Sequence, residues 1–210
     1  MKWFNSRALF NVGQEITARC MTAHNIFSQI ECFSVDINDF QNYSNIGNIS
    51  FPPSEPQAIT MTPSLPTDPD ETTFRILQTA ISYAFPDFDF SYLTPHCFKV
   101  ADSPERIRNN MSWNFTSSLP YSEDLFQRVW NAIECEIQPA TCDIYTYEPP
   151  CSDAFSAMGA LWNVSYFFFN VKQRKILHFH MREGASDFEP MLDEENDIYS
   201  LEEQYSFSIF

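Results

Sequence analysis

The sequence predicts an α/β domain of the α+β type, a central antiparallel β-sheet flanked by helices. Three observations predict it. An aromatic run, Leu161 to Phe169, is followed by the polar turn Asn170-Val171-Lys172-Gln173 and a second apolar run, Arg174 to Met181, which is the pattern of a hairpin. Three stretches upstream carry apolar residues at helical spacing. Two segments without any Lys or Arg, one proline-rich and one acidic, interrupt and end this pattern. The expected organisation is a single globular domain over residues 1–182, broken by a disordered loop at about 38–71, with an acidic tail over 183–210.

Taken in order, residues 3–14 have the spacing of a short amphipathic helix with Phe4, Ala8 and Val12 on one face, and Gly13 is placed to end it. Ile26 to Val35 alternates with apolar residues on both sides, a strand buried on at least part of each face. From Asn38 to Glu71 come Pro52, Pro53, Pro56, Pro63, Pro66 and Pro69 among Ser, Thr and Asn, the composition of a loop. Phe74, Leu77, Ile81 and Ala84 then mark a helix that must end before Pro86. Ser103-Pro104 opens another, with Ser as N-cap, Pro at the first helical position and a stripe of Ile107, Met111 and Phe115. A third starts near Ser122, where Glu123 and Asp124 favour the N-terminal dipole; Phe126, Val129, Trp130, Ile133 and Ile137 line it and Pro139 stops it. Asp143 to Tyr147 reads as a strand before the hairpin.

Bulk properties limit the function. The 210 residues carry a net charge of −16 with 44% hydrophobic residues. Phosphate contacts dominate nucleic-acid affinity and need a basic face, so direct nucleic-acid binding is disfavoured and basic protein surfaces become better partners. No run approaches the ~20 apolar residues of a membrane span, and Met1 to Arg7 lacks the apolar core of a signal peptide. Six cysteines at irregular spacing then read as reduced thiols.

Few constellations suggest chemistry. Asp87-Phe88-Asp89 spaces two carboxylates so that, in extended chain, both point one way and can hold Mg²⁺ or Mn²⁺ beside a phosphate, as in a small metal-dependent hydrolase or transferase. The competing reading is a helix-exit turn whose aspartates accept backbone N–H bonds while Phe88 and Phe90 enter the core. His178 and His180 share one strand face and can bind zinc with Cys135, Cys142 or Cys151. Without a Cys-x-x-Cys pair they read better as two polar positions on a half-exposed face. Four glycines leave little material for a phosphate-cradling loop. No cofactor is expected. Lys172, Arg174 and Lys175 concentrate positive charge at the hairpin turn, where the fold should hold them in water as a docking rim, with Asp87 and Asp89 at the helix exit as a second recognition surface. Thr62 precedes a proline; Thr67, Ser186 and Ser200 lie in contexts that suit acidophilic kinases.

Four stretches together resemble one family. Pro86 to Ser91 resembles a Pro-Asp-Tyr-Asp-Phe-Ser motif. Trp130 to Ile137, running on through Cys142 to Pro149, resembles a helix-to-strand signature that includes Asp143, Tyr145 and Tyr147. Leu161 to Asn170 with Lys172 to Ile176 resembles an aromatic strand and basic turn, with Trp162, Tyr166 and Phe168. Ile30 to Ser34 looks like the family's first conserved box. The family is the eukaryotic Maf-type repressor of RNA polymerase III transcription, unrelated to the leucine-zipper proteins of similar name. The resemblance implies a non-enzymatic, monomeric repressor that docks on the polymerase clamp and its peripheral winged-helix subunits. Docking would block recruitment to promoter-bound transcription factor IIIB. It also implies shuttling between nucleus and cytoplasm under kinases and phosphatases that answer stress and starvation. The chain departs from the family in having Glu134-Cys135-Glu136 for Asp-Glu-Glu, no Arg-Arg-x-Ser site in the loop and no compact basic import signal.

Overall fold

The computed structural model describes residues 1–36 apart from 22 and 24, and residues 68–184 apart from 151 and 158. Six strands form one fully antiparallel sheet: β1 (Lys2–Trp3), β2 (Ile26–Ser34), β3 (Phe98–Val100), β4 (Asp143–Tyr147), β5 (Ala160–Asn170) and β6 (Lys175–Gly184). Their spatial order is β1-β2-β6-β5-β4-β3. The long strands β2, β6 and β5 occupy the centre, with Phe33 opposite Ile176 and Phe167 opposite His178.

Helices cover both faces. α1 (Arg7–Cys20), α3 (Pro104–Ser118) and α4 (Glu123–Ile137) pack on one side. α2 (Glu71–Ala84), the segment Phe85–Phe98 and the one-turn α5 (Ala154–Ala157) pack on the other. Each side has its own core, Met111, Phe115, Ile133, Phe168 and Phe179 on the first and Phe74, Leu77, Phe98, Phe155 and Phe167 on the second. With both faces buried, strand alternation sorts side chains between two cores rather than between core and water. None of the described helices is long and apolar enough to cross a membrane.

Local chemistry accounts for the helix starts. Ser6 Oγ accepts from Leu9 N–H at α1, and Ser103 Oγ accepts from Arg106 N–H at 3.2 Å at α3, with Pro104 at the first helical position. Asp70 caps α2, accepting from Thr73 N–H at 2.9 Å. The helix therefore begins at Glu71, inside the segment assigned to the loop, and Asp68 also binds Lys99 at 2.7 Å.

The first helix also differs from expectation. Residues 2–3 are an edge strand, and α1 runs through Gly13 to Cys20, burying Leu9, Val12, Ile16 and Cys20. Gly13 does not end the helix. A Cβ there would stand 3.4 Å from Ile30 Cγ2, so the glycine lets α1 lie close to β2.

Candidate interaction surface

The β5–β6 turn is held from below. Asn170 is buried; its side chain donates to Ile137 O and to Thr141 Oγ1, both at 2.9 Å, and its Oδ1 accepts from Gln173 N–H at 3.0 Å. The hairpin is thereby tied to the C-terminal end of α4. Arg174 closes the turn at φ 51°, a left-handed backbone that costs a non-glycine residue energy and persists because Val35 N–H donates to Arg174 O at 2.8 Å. Lys172 and Arg174 are exposed at this fixed turn.

Lys175 is not part of that exposed rim, contrary to expectation. Its side chain is 19% exposed, its Nζ donates to Glu136 at 2.6 Å and it lies 3.7 Å from the centre of the Phe4 ring. It joins β6, α4 and the N-terminal segment. The third exposed cation at this end of the sheet is Lys2, opposite Ser34, which is itself opposite Lys175. A lysine at position 2 carries no local pattern; the strand order alone brings it to the turn.

Asp87 and Asp89 sit elsewhere. They lie in a turn after α2, where Ser91 N–H donates to Asp89 Oδ1 at 2.8 Å. That bond favours the carboxylate and lowers its pKa. Phe90 is buried in the second core and Phe88 packs against it. The two carboxylates are not in an extended segment, and Asp89 satisfies a backbone donor. The preceding residue, Phe85, packs on His178 and His180, so the turn lies ~10–20 Å along β6 from Arg174. Rim and acidic turn are separate features.

His178 and His180 are fully buried, against the expectation of a half-exposed face. α2 and Phe85 cover this side of β6, a consequence of packing that alternation within the strand does not reveal. His178 stacks on Phe167 with ring centres 4.4 Å apart and meets Phe85 edge-on at 5.8 Å. Neither of its ring nitrogens meets a hydrogen-bond partner among the described residues. His180 Nδ1 pairs with Ser165 Oγ at 2.7 Å and its ring lies 4.6 Å from Phe155. Burial pushes the His178 pKa down to about 3 and that of His180 well below its usual value, so both rings are neutral. Among the described residues, no three His, Cys, Asp or Glu side chains converge as a metal site.

The motif residues sit mainly within the two cores. Trp130 (3% exposed), Tyr166 and Phe168 hold α4 and α3 to the sheet; Trp130 Nε1–H donates to Glu134 and its ring meets Phe168 edge-on at 6.3 Å. Tyr145 and Tyr147 are buried on the α2 side, and burial pushes the Tyr145 hydroxyl up to about 12. Trp162 is half-buried and donates to Glu183 at 2.6 Å, and Asp143 is exposed at the start of β4. Thr62, Thr67, Ser186 and Ser200 lie outside the described residues.

A sheet buried on both faces displays Lys172 and Arg174 on a turn that Asn170 pins, a rigid charged surface suited to binding. The family model described as Maf1 regulator matches residues 15–180, and the chain belongs to that family, which is one of regulators and not of enzymes. It is 28% identical to the repressor of RNA polymerase III transcription of Dictyostelium discoideum over 59% of this chain and 48% of that protein. It is 26% identical to the Schizosaccharomyces pombe repressor of RNA polymerase III transcription maf1 over 52% of this chain and 46% of that protein. The chain thus spans about half the length of these curated relatives. Two crystal structures of citrus MAF1 share the fold. TM-scores are 0.54 and 0.53 at 16% and 18% identity, covering 83% and 80% of this chain and 97% and 95% of theirs.

Proposed function

We propose that this chain represses RNA polymerase III transcription by binding the polymerase and blocking its recruitment to promoter-bound transcription factor IIIB. The observation that carries the reading is the Maf1 regulator match across residues 15–180. The docking surface proposed is the pinned basic end, Lys172 and Arg174, with the Asp87–Asp89 turn as a second contact on the clamp or the peripheral winged-helix subunits. Charges held on a rigid backbone fix docking register at little entropic cost. Phosphorylation at Thr62, Thr67, Ser186 or Ser200, and its reversal under stress or starvation, would tune docking and the distribution between nucleus and cytoplasm by adding or removing charge.

The test is polymerase affinity across a salt series for the wild-type chain and a Lys172→Glu/Arg174→Glu variant. The variant should bind more weakly and with a shallower salt dependence while melting as the wild type does. Identical binding curves would move the interface off this end of the sheet, and no binding by the wild type would end the repressor reading. Lys175 is excluded from the variant because its role is internal.

A further inference from the structure

The sheet end that carries the cations also leaves apolar side chains uncovered. Phe4 N–H donates to Cys32 O at 2.8 Å, so the alternation of an antiparallel ladder turns the N–H and C=O of Trp3 away from β2. Trp3 is 68% exposed and Phe10 61% exposed. A cleft of about 340 Å³ beside this edge is lined by Trp3, Phe4, Leu9, Phe10 and Ile30. A second hollow of about 540 Å³ begins one residue earlier on β1, bounded by Lys2, Ser34, Gln173 and Arg174, with Asp36 at its rim. An occupant that spans both would be complementary if acidic and aromatic together.

Residues 185–210 have that chemistry. Asp187, Glu189, Asp193, Glu194, Glu195, Asp197, Glu202 and Glu203 are set among Phe188, Ile198, Tyr199, Tyr205, Phe207 and Phe210, with no Lys or Arg. The reach also fits. β6 runs from Lys175, at the basic end, to Gly184, where the tail departs, which is ~30 Å at strand rise. Extended chain spans at most ~3.3–3.6 Å per residue, so Asp193 is the first residue able to return to the basic end, and it opens the densest acidic run.

We infer that residues 185–210 fold back along their own sheet, so that the Asp193–Asp197 run meets Lys2, Lys172 and Arg174 and the aromatic residues beyond it cover the Trp3–Phe10 cleft. The tether favours this occupant over a second copy, because it supplies the segment at a high effective concentration. If the same end also meets the polymerase, the tail is a built-in competitor. That consequence rests on the preceding reading, and the docking itself does not.

The experiment uses the full chain and no polymerase. An equal mixture of ¹⁴N- and ¹⁵N-labelled protein is treated with a zero-length carbodiimide cross-linker and read by mass spectrometry. Links from Lys2 and Lys172 to acidic residues 193–203, within one isotope, are expected. Mixed-isotope links would assign the tail to a second copy and overturn the proposal, as would tail links formed through Lys99 instead. A full-length Asp193→Asn/Glu194→Gln/Glu195→Gln/Asp197→Asn variant should lose these links and shift the Trp3 indole N–H resonance, assigned through Trp3→Phe. An unmoved Trp3 resonance would overturn the docking.

Discussion

At the residue scale, burial separates positions that look alike in sequence. Lys172 and Lys175 are both turn lysines, yet Lys175 neutralises the largely buried Glu136 while Lys172 stands in water. Lys175→Met should cost roughly 1–3 kcal/mol by stranding a charge-assisted partner, whereas Lys172→Met should stay within about 0.5 kcal/mol, the usual range for a free surface position. Urea unfolding of the two variants side by side distinguishes them. Trp130→Ala should cost about 3–5 kcal/mol, since the ring is buried between α4 and β5 and its loss leaves a cavity. A variant that keeps wild-type stability would show that Trp130 does not hold α4 to the sheet. The buried histidines give a pH signature. Their folded pKa values are depressed, His178 to about 3, while an unfolded histidine titrates near ~6.5. The unfolded state therefore binds more protons below ~6.5, and stability falls with falling pH by up to ~1.4 kcal/mol per unit for each histidine. Glu31, opposite His178, has its pKa raised by burial and acts in the opposite sense, losing stability as pH rises past the ordinary carboxylate range. Unfolding free energies from pH 4.5 to 7 for wild type and His178→Gln should diverge in slope; parallel curves would mean that His178 does not titrate on unfolding.

At the element scale, the ends of helices set what can be removed. α2 depends on Asp70 for its cap, and Asp68 ties the segment before it to Lys99 and His96. Replacing residues 38–66 by a shorter Gly/Ser linker should leave the melting transition nearly unchanged, because closure entropy varies slowly with loop length. Extending the replacement through Glu71 should lower it, since the cap alone contributes about 0.5–2 kcal/mol. Equal melting temperatures for the two replacements would show that neither the cap nor the Asp68 pairs matter. The turn between β5 and β6 follows the same logic: Asn170 serves three bonds at once, so the turn's conformation is a property of α4 and the hairpin together.

At the scale of the whole molecule, the charge of −16 is uneven, and three of the exposed cations, Lys2, Lys172 and Arg174, cluster at one end of the sheet. An acidic tail leaving the other end of β6 has both the charge and the length to return to them. Polymerase docking should therefore tighten most at low salt, and so become more salt-dependent, in the full-length chain whose Asp193–Asp197 run is neutralised, because salt also weakens the competing tail contact. Unchanged salt curves would separate the tail from the docking face even if both readings of the tail and of the partner hold singly.

The sequence by itself determined the fold class, the order of the long helices and strands, the hairpin and the family. Those depend on periodicity, capping residues and ordered motifs, which are local: Ser103-Pro104 starts α3 whatever lies across the sheet, and the aromatic run Tyr166 to Phe169 belongs in a core. Tertiary structure decided what depends on who lies opposite. Strand order brought Lys2 to the hairpin turn, α2 buried His178 and His180, Glu136 withdrew Lys175 from solvent, and the closeness of β2 made Gly13 a packing residue inside α1. The two-residue β1 and three-residue β3 belong with these, because strands so short exist only through the neighbours they pair with.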